Sequence, residues 1–217
     1  HPVVDATAKH FAVHSGPEAD RHHFDAIASV KDMKLTYLPA FEAAVREGGV
    51  HAVMGAYNRV NGEAACASET LLDQILRKTW GFEGYVVSDC GAIEDIYEHH
   101  RMVDSRPEAA ALAVKNGCDL CCGMIYPSLV EAVQKGLIDE ETITRSVMRL
   151  MEARIRLGSL DAPGDAVDPE EYLQLDCREH HELSLKMARE SMVLLKNDGI
   201  LPLKREDLQT IAVIGPN

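Results

Sequence analysis

A parallel α/β fold is what this sequence predicts: the C-terminal half of a (β/α)8 TIM barrel, followed by the opening of a second α/β domain. Three observations carry that expectation. Apolar, β-branched runs alternate with helical runs across residues 3–157, the pattern of a parallel sheet covered by helices. The middle strand-like runs begin near Val50, Gly84 and Asp119, spacings of 34 and 35 residues and so close to one βα unit each. The Gly-rich phosphate turn of the common dinucleotide-binding open sheets is missing, which favours a barrel over an open doubly wound sheet. Eight such units make a barrel of about 250 residues.

Each element has a local reason. Residues 3–11 read as a strand and the polar residues 14–25 as a loop. Residues 36–47 have helical spacing, with Pro39 near the start and Gly48-Gly49 at the end. Residues 50–56 form a second strand, followed by the turn-rich loop from Tyr57 to Gly62. Ser68 caps a helix running to Thr79, and Trp80-Gly81 closes it. Residues 85–88 are a third strand. Ser105 and Glu108 stand at capping-box spacing before a helix that reaches Asn116, with Gly117 at its C′ position. Residues 119–122 make a fourth strand, and two helices, 127–135 and 140–157, stop at Gly136 and Gly158. Asp, Gly and Pro then cluster across residues 159–169, the mark of a linker. Residues 180–195 are helical, residues 197–199 a turn, and residues 210–214 a fresh buried strand. The expected division is a barrel part over residues 1–158, a linker and connecting helix over 159–192, and the start of a further domain over 193–217.

Composition narrows the partners. The 217 residues hold 22 Lys and Arg against 35 Asp and Glu, a net charge of −13, which argues against nucleic acid as a partner. No apolar run reaches the roughly 18 residues of a membrane span, so no membrane partner is expected. The first residues lack the pattern of a signal peptide, and the chain begins without Met in a strand-like run, as an excerpt of something longer would. Six cysteines are too sparse for a disulfide scaffold, and their spacing suggests none. Cys118 and Cys121 form a CxxC, but on a strand their side chains diverge and no second ligand pair accompanies them, so they read as small buried hydrophobes. His99-His100 and His180-His181 read as surface residues, because adjacent histidines on a helix point apart. Neither a metal nor a cofactor is expected, and P-loop, HExxH and GxSxG motifs are missing.

In a βα barrel the chemistry sits at the C-terminal ends of the strands. That rule selects Lys9-His10, Tyr57-Asn58-Arg59 and Ser88-Asp89, three polar clusters that each follow an apolar strand and would converge on one rim. On pattern alone Asp89 reads equally as a helix N-cap, Lys9-His10 as a solvated strand end, and residues 57–62 as a plain turn.

Longer motifs contain these clusters. Lys9-His10-Phe11, the run from Val53 to Gly62 and the run from Gly81 to Gly91 resemble the signatures of glycoside hydrolase family 3. Residues 194–203 and 211–216 are similar to the entrance of that family's second domain, an α/β sandwich. The resemblance runs from Lys9 to the end of the chain, and residues 10–18 with Arg21-His22 most resemble the β-xylosidase and β-glucosidase branch. It implies an exo-acting, retaining glycosidase whose substrate is an oligosaccharide or an aryl or alkyl glycoside. Asp89 is then the nucleophile, forming a glycosyl-enzyme while a second group protonates the leaving oxygen. Lys9 and His10 match donors to sugar hydroxyls and Tyr57 matches a residue beside the nucleophile. Met54, Glu18 and Arg21 complete the expected sugar site, although Glu18 and Arg21 also suit a surface ion pair.

The resemblance places the acid/base beyond Asn217 and further sugar ligands before His1. A rival within the family, the β-N-acetylglucosaminidases, uses an Asp-x-His dyad, and Asp20-Arg21-His22 stands at that distance, although the loop lacks the Pro and Gly residues of that branch. A non-catalytic carbohydrate-binding remnant is the non-enzyme alternative, and the intact Asp89 weighs against it. A periplasmic or secreted location is favoured over the cytoplasm, and an oligomer is compatible with the sequence.

Overall fold

A computed structural model describes residues 4–14, 16–160 and 173–215. The chain divides into two compact units, residues 1–162 and 163–217. Val3, and most of the linker expected at 159–169, lie outside the described residues.

Among its described residues the first unit carries six short strands: β1 (Thr7–Phe11), β2 (Asp25–Ala26), β3 (Ala52–Gly55), β4 (Arg59–Val60), β5 (Glu63–Ala64) and β6 (Tyr85–Ser88). Its helices are α1 (Pro39–Arg46), α2 (Glu69–Thr79), α3 (Asp95–Glu98), α4 (Arg106–Asn116), α5 (Leu129–Gln134) and α6 (Glu140–Arg156). β1, β3 and β6 form one parallel sheet in that order, with Phe11 opposite Gly55 and Gly55 opposite Ser88. Parallel pairing needs a long crossover between strands, and α1 and α2 lie in those two crossovers. The core gathers Phe11, Val53 and Val86 of the sheet with Leu71, Leu72 and Leu76 of α2 and the alanines of α4. Ala109, Ala110 and Ala113 are fully buried, and their small side chains let α4 approach its neighbours closely.

Caps act where the sequence puts them, with one exception. Ser68 Oγ accepts the Leu71 N–H at 3.0 Å, and Gly117 ends α4 at φ +109°, a conformation that favours glycine. Ser105 is the exception. Its hydroxyl donates to Glu108 at 2.8 Å instead of receiving a backbone N–H, and Glu108 accepts the Asp104 N–H at 3.1 Å.

Four sequence readings are corrected. The helix expected from residue 36 starts earlier, through helical turns at Val30–Asp32 and Met33–Tyr37, because Ser29 Oγ accepts the Asp32 N–H at 3.1 Å and caps them. The loop from Tyr57 to Gly62 is partly a hairpin: Val60 pairs with Glu63 across Asn61 (φ 50°) and Gly62 (φ 89°). Two central residues with positive φ are what a tight Asn-Gly hairpin demands. β2 adds to β4 in parallel, giving a second small sheet. The fourth strand contracts to a single parallel bridge between Leu120 and Val87, because Asp119 turns its carboxylate into the protein and Cys122 is drawn into a disulfide. In the second unit α7 (Arg178–Glu190) is helical, but residues 210–214 form no ladder, and Val213 and Ile214 are each 93% exposed. A strand is stabilised by its neighbours, and the described residues offer this one none.

Asp119 holds the first unit together away from the rim. Its buried carboxylate accepts the Val86 N–H at 2.9 Å, Arg77 of α2 at 2.7 Å and Arg149 of α6 at 2.8 Å. Removing one member of such a buried cluster leaves unpaired charges in a low-dielectric site. Asp119→Ala is expected to cost about 3–5 kcal/mol of unfolding free energy. Glu141→Ala, which removes an exposed partner of Arg145, should change it by less than about 1 kcal/mol. Urea unfolding of both variants checks this, and equal effects would contradict it.

Candidate active site at the strand ends

The parallel register carries the chain past each strand end in step. Ala56 N–H donates to the Phe11 carbonyl at 2.9 Å, Asp89 N–H to the Gly55 carbonyl at 3.2 Å, and Gly91 N–H to the Cys122 carbonyl at 2.7 Å. The residues just after the ladder are therefore still pinned, and the polar clusters meet. His10 Nε2 lies 3.2 Å from Asp89 Oδ2. Asp89 Oδ1 accepts the Cys90 N–H at 2.8 Å, which fixes the carboxylate from its own backbone. The Asp89 side chain keeps only 16% of its surface exposed. Gly55 is needed for close approach, because a Cβ there would stand 2.7 Å from Cys66 Sγ.

Burial lowers the pKa of His10, with the neighbouring His14 adding to the effect and Asp89 opposing it. The imidazole is thus neutral at neutral pH, with one N–H to donate. The Tyr57 hydroxyl donates to the Cys90 carbonyl at 2.8 Å. Burial first, and then the charge of Asp89, push its pKa up, so it remains a phenol. The Arg21 guanidinium lies 5.4 Å from the Tyr57 ring centroid and pairs with Glu18 at 2.5 Å. Lys9 is exposed on β1 beside His10, and the bonds Lys9–His10 and Phe11–Ala12 are cis. Met54 is half-buried on β3, one residue before Gly55. Asp89, His10, Tyr57 and Arg21 are thereby brought into one neighbourhood. Glu18 reaches it only through Arg21, and its carboxylate is 81% exposed.

His22 does not pair with Asp20. Its Nδ1 lies 2.7 Å from Asp95 Oδ2, and its ring meets Tyr57 edge-on at 4.8 Å. The same buried carboxylate holds His99, whose Nδ1 is 2.6 Å from Asp95 Oδ1. His100 is buried at 6% exposure, and burial pushes its pKa down to about 4. The surface placement expected for His99-His100 is therefore wrong for His100, while His99 is half-buried with 34% of its side chain exposed. Asp95 supplies the partner that lets His99 withdraw, and α3 ends at Glu98, so the two rings are not held on opposite faces of one helix. His181 of the second unit is exposed and pairs with Asp176 at 3.0 Å. The Asp95–His99 pair was readable as an i,i+4 spacing.

The cysteine spacing, which suggests no disulfide framework, passes over one bridge: Cys90 and Cys122 form a disulfide. They are 32 residues apart, one βα unit, and each follows a strand end in adjacent positions of the sheet. Sequence spacing is read for local pairs, and it passes over neighbours made by a crossover. Cys118 is a buried free thiol as expected, while Cys121 is only half-buried; the contact with the buried thiol of Cys66 first, and then burial, raise the Cys118 pKa.

A cleft of about 600 Å³ lies elsewhere, between His51, Phe82 and Gly84 near the start of β6 and Arg149 and Arg156 of α6. It includes none of the rim residues, so its size is no guide to the chemistry. The rim offers a fixed carboxylate, a neutral imidazole, a phenol and two cations. That set can attack an electrophilic carbon and hold hydroxyl groups around it.

Comparison with known proteins identifies the family. The model of the Glycosyl hydrolase family 3 N terminal domain matches residues 2–153. A Xylan 1,4-beta-xylosidase of Xylanibacter ruminicola is 44% identical over 218 residues, covering 98% of this chain and 25% of its own. A Probable exo-1,4-beta-xylosidase bxlB of Aspergillus clavatus is 41% identical over 99% of this chain and 29% of its own. Among solved structures, a GH3 exo-beta-xylosidase (XlnD) in complex with a xylobiose aziridine activity-based probe superposes with a TM-score of 0.80 at 31% identity, over 94% of this chain and 27% of that one. A beta-glucosidase from Listeria innocua gives a TM-score of 0.77 at 28% identity, over 91% of this chain and 28% of that one. The chain spans about a quarter of the length of these relatives.

The Cys90–Cys122 bridge gives a direct check on the rim. Digestion without reductant should yield one cross-linked species joining the Cys90 and Cys122 peptides, which separates on reduction. Recovery of both as alkylated free thiols from unreduced protein would contradict the pairing.

Proposed function

Because the chain belongs to glycoside hydrolase family 3, we propose that the protein is an exo-acting, retaining β-glycosidase that releases terminal β-linked xylose or glucose through a covalent intermediate on Asp89. The single observation that carries this reading is the Asp89 carboxylate. It stands at a strand end, held by the Cys90 N–H at one oxygen and facing His10 at 3.2 Å with the other.

In the reaction, an Asp89 oxygen attacks the anomeric carbon from one face. The glycosidic C–O bond breaks as a general acid gives its proton to the leaving oxygen, and an ester links the sugar to Asp89. Water, deprotonated by the same acid/base, then attacks that carbon and returns Asp89 as carboxylate. The acid/base belongs to this proposal as a group beyond Asn217. The Asp20-His22 dyad gains no support, since His22 is bonded to Asp95. His10 and Lys9 donate to sugar hydroxyls, bonds that help catalysis to the extent that they strengthen as positive charge develops on the ring. Tyr57, kept protonated and aimed at the Asp89 segment, steadies the nucleophile. Arg21 and Met54 border the sugar, and Glu18 orients Arg21.

The names of the relatives favour xylose at the cleaved position. The Cys90–Cys122 disulfide supports a periplasmic or secreted protein, because such bonds persist in oxidising compartments.

Asp89→Gly in the whole enzyme tests the reading. Turnover of an activated aryl xyloside should fall at least about a thousandfold, or about 4 kcal/mol in barrier. Azide should restore part of it by attacking from the vacated face, giving a glycosyl azide of inverted configuration. Near wild-type turnover, or a loss that only follows lost folded protein, would refute the role.

A further inference from the structure

We propose that His22, Asp95 and His99 form a binding site for one divalent first-row transition ion, beside the rim and separate from the sugar chemistry. One donor atom from each residue lies within 4.8 Å of the other two. The donors come from two segments: His22 from the loop between β1 and β2, Asp95 and His99 from α3 and the residue that closes it. Asp95 is nearly out of solvent, its side chain 4% exposed, while His22 and His99 keep 42% and 34%. A carboxylate thus forms the floor and two imidazoles the walls, and the open side leaves a path of entry and room for water ligands.

Each Nδ1 faces its own oxygen of the Asp95 carboxylate, at 2.7 Å for His22 and 2.6 Å for His99. In this state protons bridge the three groups. A zinc-like ion takes N and O donors at about 2.0–2.2 Å, which sets neighbouring donors about 3.3 Å apart in a tetrahedral shell. The two His–Asp pairs therefore have to open by roughly 0.7 Å, while the donors of the two imidazoles, within 4.8 Å of each other, have to settle near the same spacing, and His22 lies on a different segment from α3 and can yield. Two nitrogens and one oxygen suit zinc, cobalt, nickel or copper and not calcium or magnesium, which ask for oxygen alone. A second feature points the same way. His100, buried against this cluster, has both ring nitrogens without a partner among the described residues, so the neighbourhood holds more nitrogen donors than its own hydrogen bonds use.

The site is placed to be felt at the rim, because the His22 ring packs edge-on against Tyr57 at 4.8 Å. An ion that fixes His22 would fix that contact. The inference stands on the cluster alone and does not depend on the proposed glycosidase activity.

Cobalt(II) alone is the probe, titrated into the whole protein after chelator treatment and dialysis, with visible absorption and calorimetry as readouts. The expected result is one saturable equivalent that gives a d–d band. His99→Gln should remove that equivalent or weaken it at least about tenfold, and His99 is exposed enough for the variant to fold. Asp95→Asn should behave alike if it folds. If wild type and His99→Gln take up the same equivalents with the same affinity, the three residues are only a hydrogen-bonded clamp and the proposal fails.

Discussion

The parallel register of β1, β3 and β6 sets Phe11 beside Gly55 and Gly55 beside Ser88, and the polar rim depends on that alignment. Parallel strands return to the same end only through long crossovers, so residues scattered between positions 9 and 89 finish side by side. A shift of one residue in the β3–β6 pairing would turn Ser88 and its neighbours to the other face of the sheet. The register is protected from both ends. At the rim, Asp89 N–H donates to the Gly55 carbonyl, and Ser88 Oγ accepts the Cys122 N–H at 2.9 Å. Away from the rim, Asp119 joins β6 to α2 and α6 through three charge-assisted contacts. The catalytic proposal asks for a carboxylate that does not wander, and these bonds are what keep its backbone still.

Around that frame the loops are tied mostly by polar contacts. Asp95 binds His22 of one loop and His99 at the end of α3, while Tyr57 reaches across to the Cys90 carbonyl. His22, Tyr57 and Asp89 thus lie along a continuous line of contacts from the His–Asp–His cluster to the rim. Arg21 adds its guanidinium over Tyr57, and its pair with the exposed Glu18 adds little stability in water. The neutral His10 matters more, since a neutral donor beside Asp89 can hold a hydroxyl without cancelling the charge of the carboxylate.

Much of this was legible in the sequence. Alternating strand and helix runs, the βα spacing and the capping residues Ser68 and Gly117 identify the parallel α/β class and most elements, and the strand-end rule selects the segments of Lys9-His10, Tyr57 and Asp89. What escaped was non-local or competed with a plainer pattern. The Cys90–Cys122 pair is made by a crossover, the Asp95 cluster joins residues 73 positions apart, and the fourth strand lost its ladder to Asp119, whose buried charge had to be paired. The Asn61-Gly62 hairpin was within reach of local rules and was read only as a turn. The strand read at residues 210–214 shows the converse: an apolar run states a preference, and only partners make it a strand.

The role of Asp89 is the central claim, and trapping tests it most directly. The whole enzyme is incubated with 2,4-dinitrophenyl 2-deoxy-2-fluoro-β-xyloside, whose fluorine slows both the formation and the hydrolysis of a glycosyl-enzyme while the good leaving group speeds only its formation, so that the intermediate accumulates. Peptide mass spectrometry then locates the sugar. The account predicts one fluoroxylosyl ester per chain, on the peptide from Tyr85 to Gly91 and on the Asp89 carboxylate itself. A label on another residue, or none while the dinitrophenol burst is complete, would contradict it.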